Sequence, residues 1–155
     1  MELKSINHGY GQNTYHLVFV PKYRWPIFNN KAVKLECKKA FYSTAYRYGF
    51  NIYCLQIMYD HVHLFVDFNP SYSVSKVIQL FKGYSAYRVF KVFPNLKKTW
   101  YKRKHFWSAG KFFRSVGNVT ADTIQNYIEQ SQGSWDFKDT TTIYRQHHQT
   151  KLSVA

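Results

Sequence analysis

The segment NTYHLVFVPK, from Asn13 to Lys22, alternates with a period of two, placing Tyr15, Leu17 and Phe19 on one face before Pro21 closes it. It reads as a strand. From Asn30 to Tyr48 the period changes, with Val33, Cys37, Ala40, Phe41 and Ala45 recurring at helical spacing and Gly49 marking the helix end. Asn51 to Met58 reads as a second strand. A very short turn near Tyr59 and Asp60 joins it to a third, within YDHVHLFVDF, and the spacing predicts an antiparallel hairpin in the middle of a sheet. After Pro70 a second helix spans Tyr72 to Phe93, carrying Val74, Val77, Ile78, Phe81, Ala86 and Val89, and Pro94 ends it. KHFWSAGKFFRSVG supplies a last strand around Lys111 to Val116.

The order β-α-β-β-α-β predicts an α+β fold, the ferredoxin-like or RRM-like sandwich with an antiparallel sheet and two helices on one face. A further helix follows, with Thr120 suited to its N-cap, Asp122 to its positive end, and Ile124, Tyr127 and Ile128 forming an apolar stripe through Glu129. Gly133 closes it. The remainder is polar with few apolar anchors, which predicts one domain over residues 1–133 and an appended tail over 134–155.

Composition fits this frame: 155 residues with 45% hydrophobic and 20% aromatic content suffice for one packed core and exclude disorder. No apolar run is long enough to span a membrane and the start lacks the apolar stretch of a signal peptide, so the expected location is the cytoplasm. Cys37 and Cys54 have no CxxC spacing and are expected as buried thiols.

Charge changes the picture. Twenty-two Lys and Arg against eight Asp and Glu give a net charge of +14, which points to a polyanionic partner, nucleic acid above all. Between Phe68 and Ala121 eleven basic residues meet no acidic one, and aromatics are interleaved with them in FKGYSAYRVFKVF and TWYKRKHFW. That mixture suits phosphate pairing and base stacking on single strands, although most rings in so aromatic a chain belong to the core. Scattered carboxylates argue against a site holding two magnesium ions between converging acids. A one-metal site using histidine fits better.

The candidate for that site is HVH. Strand alternation sends His61, His63, Phe65 and Asp67 to one face and Val62, Leu64 and Val66 to the other, so two imidazoles lie side by side. A divalent metal between them satisfies both; two exposed strand histidines are the alternative. Asp67 is expected as a solvated strand-end carboxylate rather than a partner that orients a histidine, and His16 as either a DNA contact or a surface residue. Tyr127, on the final helix, is open to two readings: a nucleophile or an apolar-stripe residue.

HVH at a hairpin strand, LFKGYSAYR on the next helix, HFWSAGKFFRSVG and TADTIQNYIEQ, in that order, resemble the single-tyrosine HUH transposases of prokaryotic insertion sequences over about Asn13 to Gln132. The resemblance implies a metal-dependent endonuclease and strand transferase acting on single-stranded DNA at hairpin-bearing element ends. His61 and His63 would hold Mg²⁺ or Mn²⁺, and Tyr127 would form a 5′-phosphotyrosine and leave a free 3′-hydroxyl. It further implies a homodimer in which one subunit's tyrosine helix completes the other's histidine site.

One position departs from the pattern. The family commonly places a glutamine four residues after the tyrosine, where this chain has Ser131. At ~100° per residue, Gln130 and Ser131 lie within ~60° of the Tyr127 direction and Gln132 ~140° away. Gln130 is therefore the expected third metal ligand, with Ser131 as the substitute. Lys22, Arg24, Lys82 and Arg88 are the leading phosphate contacts. Two other readings share the same scaffold: a non-catalytic single-strand binding module, and a domesticated relative that processes repeated extragenic palindromes.

Overall fold

In the computed structural model of the chain, residues 4–6, 9–100, 102, 105–117, 120 and 122 are described. Tyr127, Gln130 and Ser131, the helix expected to carry them, and the 134–155 tail lie outside the described residues. The elements are β1 (Lys4–Ile6), β2 (Gly9–Gly11), β3 (Thr14–Phe19), α1 (Lys31–Tyr48), β4 (Asn51–Ile57), β5 (Val62–Asp67), α2 (Val74–Val92) and β6 (Phe112–Val116). β1 and β2 form a small antiparallel hairpin of their own, too short and glycine-rich to show in the hydrophobic pattern.

The main sheet has the order β4-β5-β3-β6 with every neighbouring pair antiparallel, the ferredoxin-like arrangement expected from the element order. One expectation is corrected. The β4–β5 hairpin does not occupy the middle of the sheet: β3 and β5 are the inner strands and β4 is an edge, because β3 returns to pair with β5. A register shift between Ile52 and Cys54 marks an irregularity in β4.

Both helices are closed by their own residues. The Asn30 side chain accepts from the amides of Ala32 and Val33 to start α1, and Gly49 ends it in the left-handed region at φ 73°. The Ser73 hydroxyl accepts from Lys76 N at 3.0 Å to start α2. The core joins Leu17, Phe19, Leu55, Val62 and Leu64 of the sheet to Phe41 of α1 and Phe81 of α2. Phe19 meets Phe41 edge-on at 5.0 Å between centroids, and Phe41 meets Phe81 at 5.1 Å. Trp107 enters from the segment before β6 and donates its indole N–H to the Ser85 hydroxyl at 2.8 Å, which satisfies a buried polar pair. Cys37 and Cys54 are buried with no disulfide between them, as expected.

The alternate residues His16, Val18, Cys54, His63 and Phe65 point to the other sheet face and are buried as well. This second face carries the site. Among the described residues, no helix is long and apolar enough to cross a membrane.

Candidate active site

The turn between β4 and β5 sets the two histidines. Met58 N donates to His61 O at 2.8 Å, closing the hairpin so that His61 stands immediately before β5 and His63 inside it. Their rings lie 4.8 Å apart between centroids and nearly perpendicular, and both are buried. The side-by-side placement expected from HVH is present.

A hydrogen-bond partner then fixes each ring. His61 Nδ1 lies 2.7 Å from Asp60 Oδ1, and the other oxygen of Asp60 accepts from Arg24 Nε at 2.6 Å. Burial pushes the Asp60 carboxyl up, but the His61 hydrogen bond and the charges of His61 and Arg24 outweigh it and hold the group below the usual carboxylate range. An ionised Asp60 takes the Nδ1 proton of His61 as a hydrogen bond, which leaves Nε2 as the nitrogen that carries the lone pair. His63 Nδ1 lies 2.9 Å from His16 Nε2. Burial chiefly, then the charges of Arg114 and His61, lower His16 to about 3, so it is neutral at ordinary pH and has one nitrogen to accept with. In the tautomer where His63 Nδ1–H donates to His16, the His63 lone pair lies on Nε2, a buried atom. Phe65, stacked on His16 at 4.4 Å and 5°, holds that ring in plane.

Several expectations about neighbouring residues change. Asp67 is not a solvated strand end: it is 5% exposed, and its Oδ1 accepts from Asn13 N at 3.0 Å, tying the start of β3 to the end of β5. His16 is neither a surface residue nor a DNA contact; it is 1% exposed and backs His63. The carboxylate that orients a histidine is Asp60, whose only sequence signal was adjacency in DHVH.

The four cations expected to meet phosphate divide into two pairs. Arg24 is engaged by Asp60, and Arg88 reaches Glu36 at 3.3 Å, linking α2 to α1. Lys22 and Lys82 line an open cleft of about 1150 Å³ beside α2, together with Lys76, Lys97, Lys111 and Tyr87. Lys82 donates to the carbonyls of Ser108 and Gly110 at 2.9 and 2.7 Å, pinning the segment before β6. The turn leading from Lys22 to the site is strained, since Tyr23 and Arg24 are consecutive non-glycine residues with φ of 61° and 52°. It is held by Lys22 N donating to Phe106 O, Arg24 N to Pro21 O, and Phe28 N to Tyr59 O.

Burial, reinforced by the charge of Lys111, lowers Lys82 to about 8. Between that value and 10.5 the unfolded chain keeps a proton that the folded chain has lost, so this residue's contribution to stability rises with pH across the window. Its charge in the cleft moves the other way. Affinity for single-stranded DNA, followed by fluorescence anisotropy at constant ionic strength, is expected to step down as pH rises through about 8. Lys82→Arg, which stays charged, is expected to remove the step; an unchanged step in that variant would contradict the assignment.

With this geometry in place, comparison with known proteins is informative. The family model described as "Transposase IS200 like" matches residues 10–131. The transposase for insertion sequence element IS200 of Salmonella typhimurium is 33% identical over 129 residues, covering 81% of each chain. The ISDra2 transposase TnpA of Deinococcus radiodurans is 29% identical over 130 residues, covering 83% of this chain and 91% of that one. Among solved structures, a Deinococcus radiodurans protein assigned to the transposases superposes with a TM-score of 0.66 at 28% identity, over 81% of this chain and 95% of that one. A REP-associated tyrosine transposase bound to a REP hairpin shares the fold at a TM-score of 0.53 and 12% identity, over 76% of this chain and 63% of that one. Residues 10–131 include both the buried histidine pair and the cleft-lining lysines, and the chain belongs to the IS200-like transposase family.

Proposed function

We propose that this transposase is metal-dependent and cleaves and rejoins single-stranded DNA at hairpin-bearing ends through a 5′-phosphotyrosine intermediate on Tyr127. The observation that carries the reading is the buried His61–His63 pair, each ring hydrogen-bonded through Nδ1, so that Nε2 would be the nitrogen to hold a cation. Neutral imidazoles fit a divalent cation, and Mn²⁺ suits them better than Mg²⁺, which prefers oxygen. A cation held by His61 and His63 would polarise the scissile phosphate and offset charge developing on it.

The chain's own groups supply the rest. Lys22, Lys82 and their neighbours in the cleft pair with backbone phosphates, and Asp60 and His16 keep the imidazoles in register. The Tyr127 oxygen attacks phosphorus; its P–O bond forms as the bond from phosphorus to the 3′-oxygen breaks, and that oxygen leaves as a hydroxyl. A 3′-hydroxyl from another strand reverses the step, so no nucleotide energy source is consumed. Hairpin-bearing substrate matches the ligand of the REP-associated relative. A homodimer completes each site with the partner's tyrosine helix, as the resemblance to the single-tyrosine transposases implies.

The test is a covalent adduct. Wild-type chain with Mn²⁺ and single-stranded oligonucleotides labelled 3′ of the cut is expected to give a protein–DNA band that survives denaturation, and Tyr127→Phe to give none. Wild-type protein that binds these strands yet yields no adduct with Mn²⁺ or Mg²⁺ would instead be a single-strand binding module.

A further inference from the structure

The geometry points to Gln56 as an oxygen ligand for the cation at His61 and His63, an inference that rests on the metal-dependent reading above. Gln56 sits on the edge strand β4 directly opposite His63 in the β4–β5 register. Cross-strand partners project to the same face of a sheet, with Cβ atoms roughly 4.5–5.5 Å apart. Its neighbours Leu55 and Ile57 enter the helix-side core, so the carboxamide between them belongs to the imidazole face.

Two further observations single this side chain out. Gln56 Oε1 is buried and accepts no hydrogen bond. Native folds rarely leave a buried amide oxygen without a donor, and a bound cation would offset its lost hydration. The donor set also needs another member. Among the described residues, no third His, Cys, Asp or Glu joins the pair to make a metal-holding group. Asp60 is engaged by His61 and Arg24, and His16 is engaged through Nε2 by His63 Nδ1. Within the described residues a further ligand is therefore of another residue type, and an amide oxygen is one that Mg²⁺ and Mn²⁺ accept. Position 131, where an amide was expected, holds a serine. Gln56 brings an amide to the same ions from a strand that is already hydrogen-bonded beside His63, so the ligand is held in place before metal arrives.

Mn²⁺ binding to the full chain without DNA, measured by calorimetry and by the spin-resonance signal of free Mn²⁺, decides the matter independently of cleavage. Gln56→Ala is expected to weaken binding roughly tenfold or more. Gln56→Glu keeps the shape and presents an anionic oxygen, so it is expected to bind Mn²⁺ more tightly than wild type; a residue that only packs would show no such gain. Both Gln56 variants binding as wild type, with Gln130→Ala weakened, would place the amide ligand on the tyrosine segment and overturn the inference. Binding that needs His61 and His63 but is indifferent to Gln56 overturns this inference alone, whereas wild-type protein that takes up no Mn²⁺ overturns the metal-dependent function and Gln56 with it.

Discussion

Replacing His61 and His63 together by alanine is expected to abolish Mg²⁺- or Mn²⁺-dependent cleavage while leaving salt-sensitive binding of single-stranded DNA in place. The two effects separate because they arise in different parts of the molecule. In the proposed reading, affinity for DNA comes from releasing counterions as the lysines lining the cleft beside α2 meet phosphates. The histidines lie on the opposite face of the sheet from the helix-side core, are neutral as ligands, and add no charge to that cleft. Cleavage, by contrast, loses both fixed nitrogens at once. Gel assays of cleavage and anisotropy measurements of binding, with circular dichroism confirming the fold, read the two quantities separately. Metal-dependent cleavage that persists in the double variant would sink the proposed chemistry.

Asp60→Ala should have the second largest effect, although the residue touches neither DNA nor metal in the proposed scheme. Its carboxylate bridges Arg24 and His61 at 2.6 and 2.7 Å with 4% of its own surface exposed. Removing it frees His61 to adopt the other tautomer, which places a proton on Nε2, and loss of such an orienting partner typically weakens metal affinity 10–100-fold. It also takes the carboxylate partner away from a half-buried guanidinium. Because Arg24 keeps part of its surface in water, the stability loss is expected near about 2 kcal/mol, below the range for a fully buried broken pair. Arg24→Gln leaves the Asp60–His61 bond standing and is expected to cost less on both counts. Mn²⁺ titration and urea denaturation of the two variants test this ordering; an Asp60→Ala protein that binds Mn²⁺ as wild type does would remove Asp60 from the site.

The elements were legible because each announces itself locally. α1 has an asparagine cap, a helical apolar stripe and a left-handed glycine, all within one segment, and its bounds follow from them. β3 and β5 show their alternation, and HVH shows its paired rings. What stayed hidden depends on which strands become neighbours. His16 gives no sign of its role until β3 pairs with β5, and Gln56 none until β4 pairs with β5 in a register that sets it against His63. The same non-local pairing moved the β4–β5 hairpin to one side of the sheet and buried Asp67, which a strand-end position alone suggests is solvated. Arg24 and Arg88 read as phosphate contacts by charge, yet each has a carboxylate partner distant in sequence. Charge counts identify a basic face; they do not say which cations are already spoken for.

The sheet's two buried faces make the hairpin turn a matter of phase. Leu64 faces the core beneath the helices while His63, one residue earlier, faces the site, so the function of β5 hangs on odd and even positions. Insertion or deletion of one residue in the 58–60 turn that shifted β5 by a single step would drive an imidazole into the hydrocarbon interior and turn a leucine toward the site, without altering any residue of the motif. For this fold, a frame of pairing is as much a part of the active site as the side chains it aligns, and HVH read off a sequence carries chemistry only where the turn before it keeps the count.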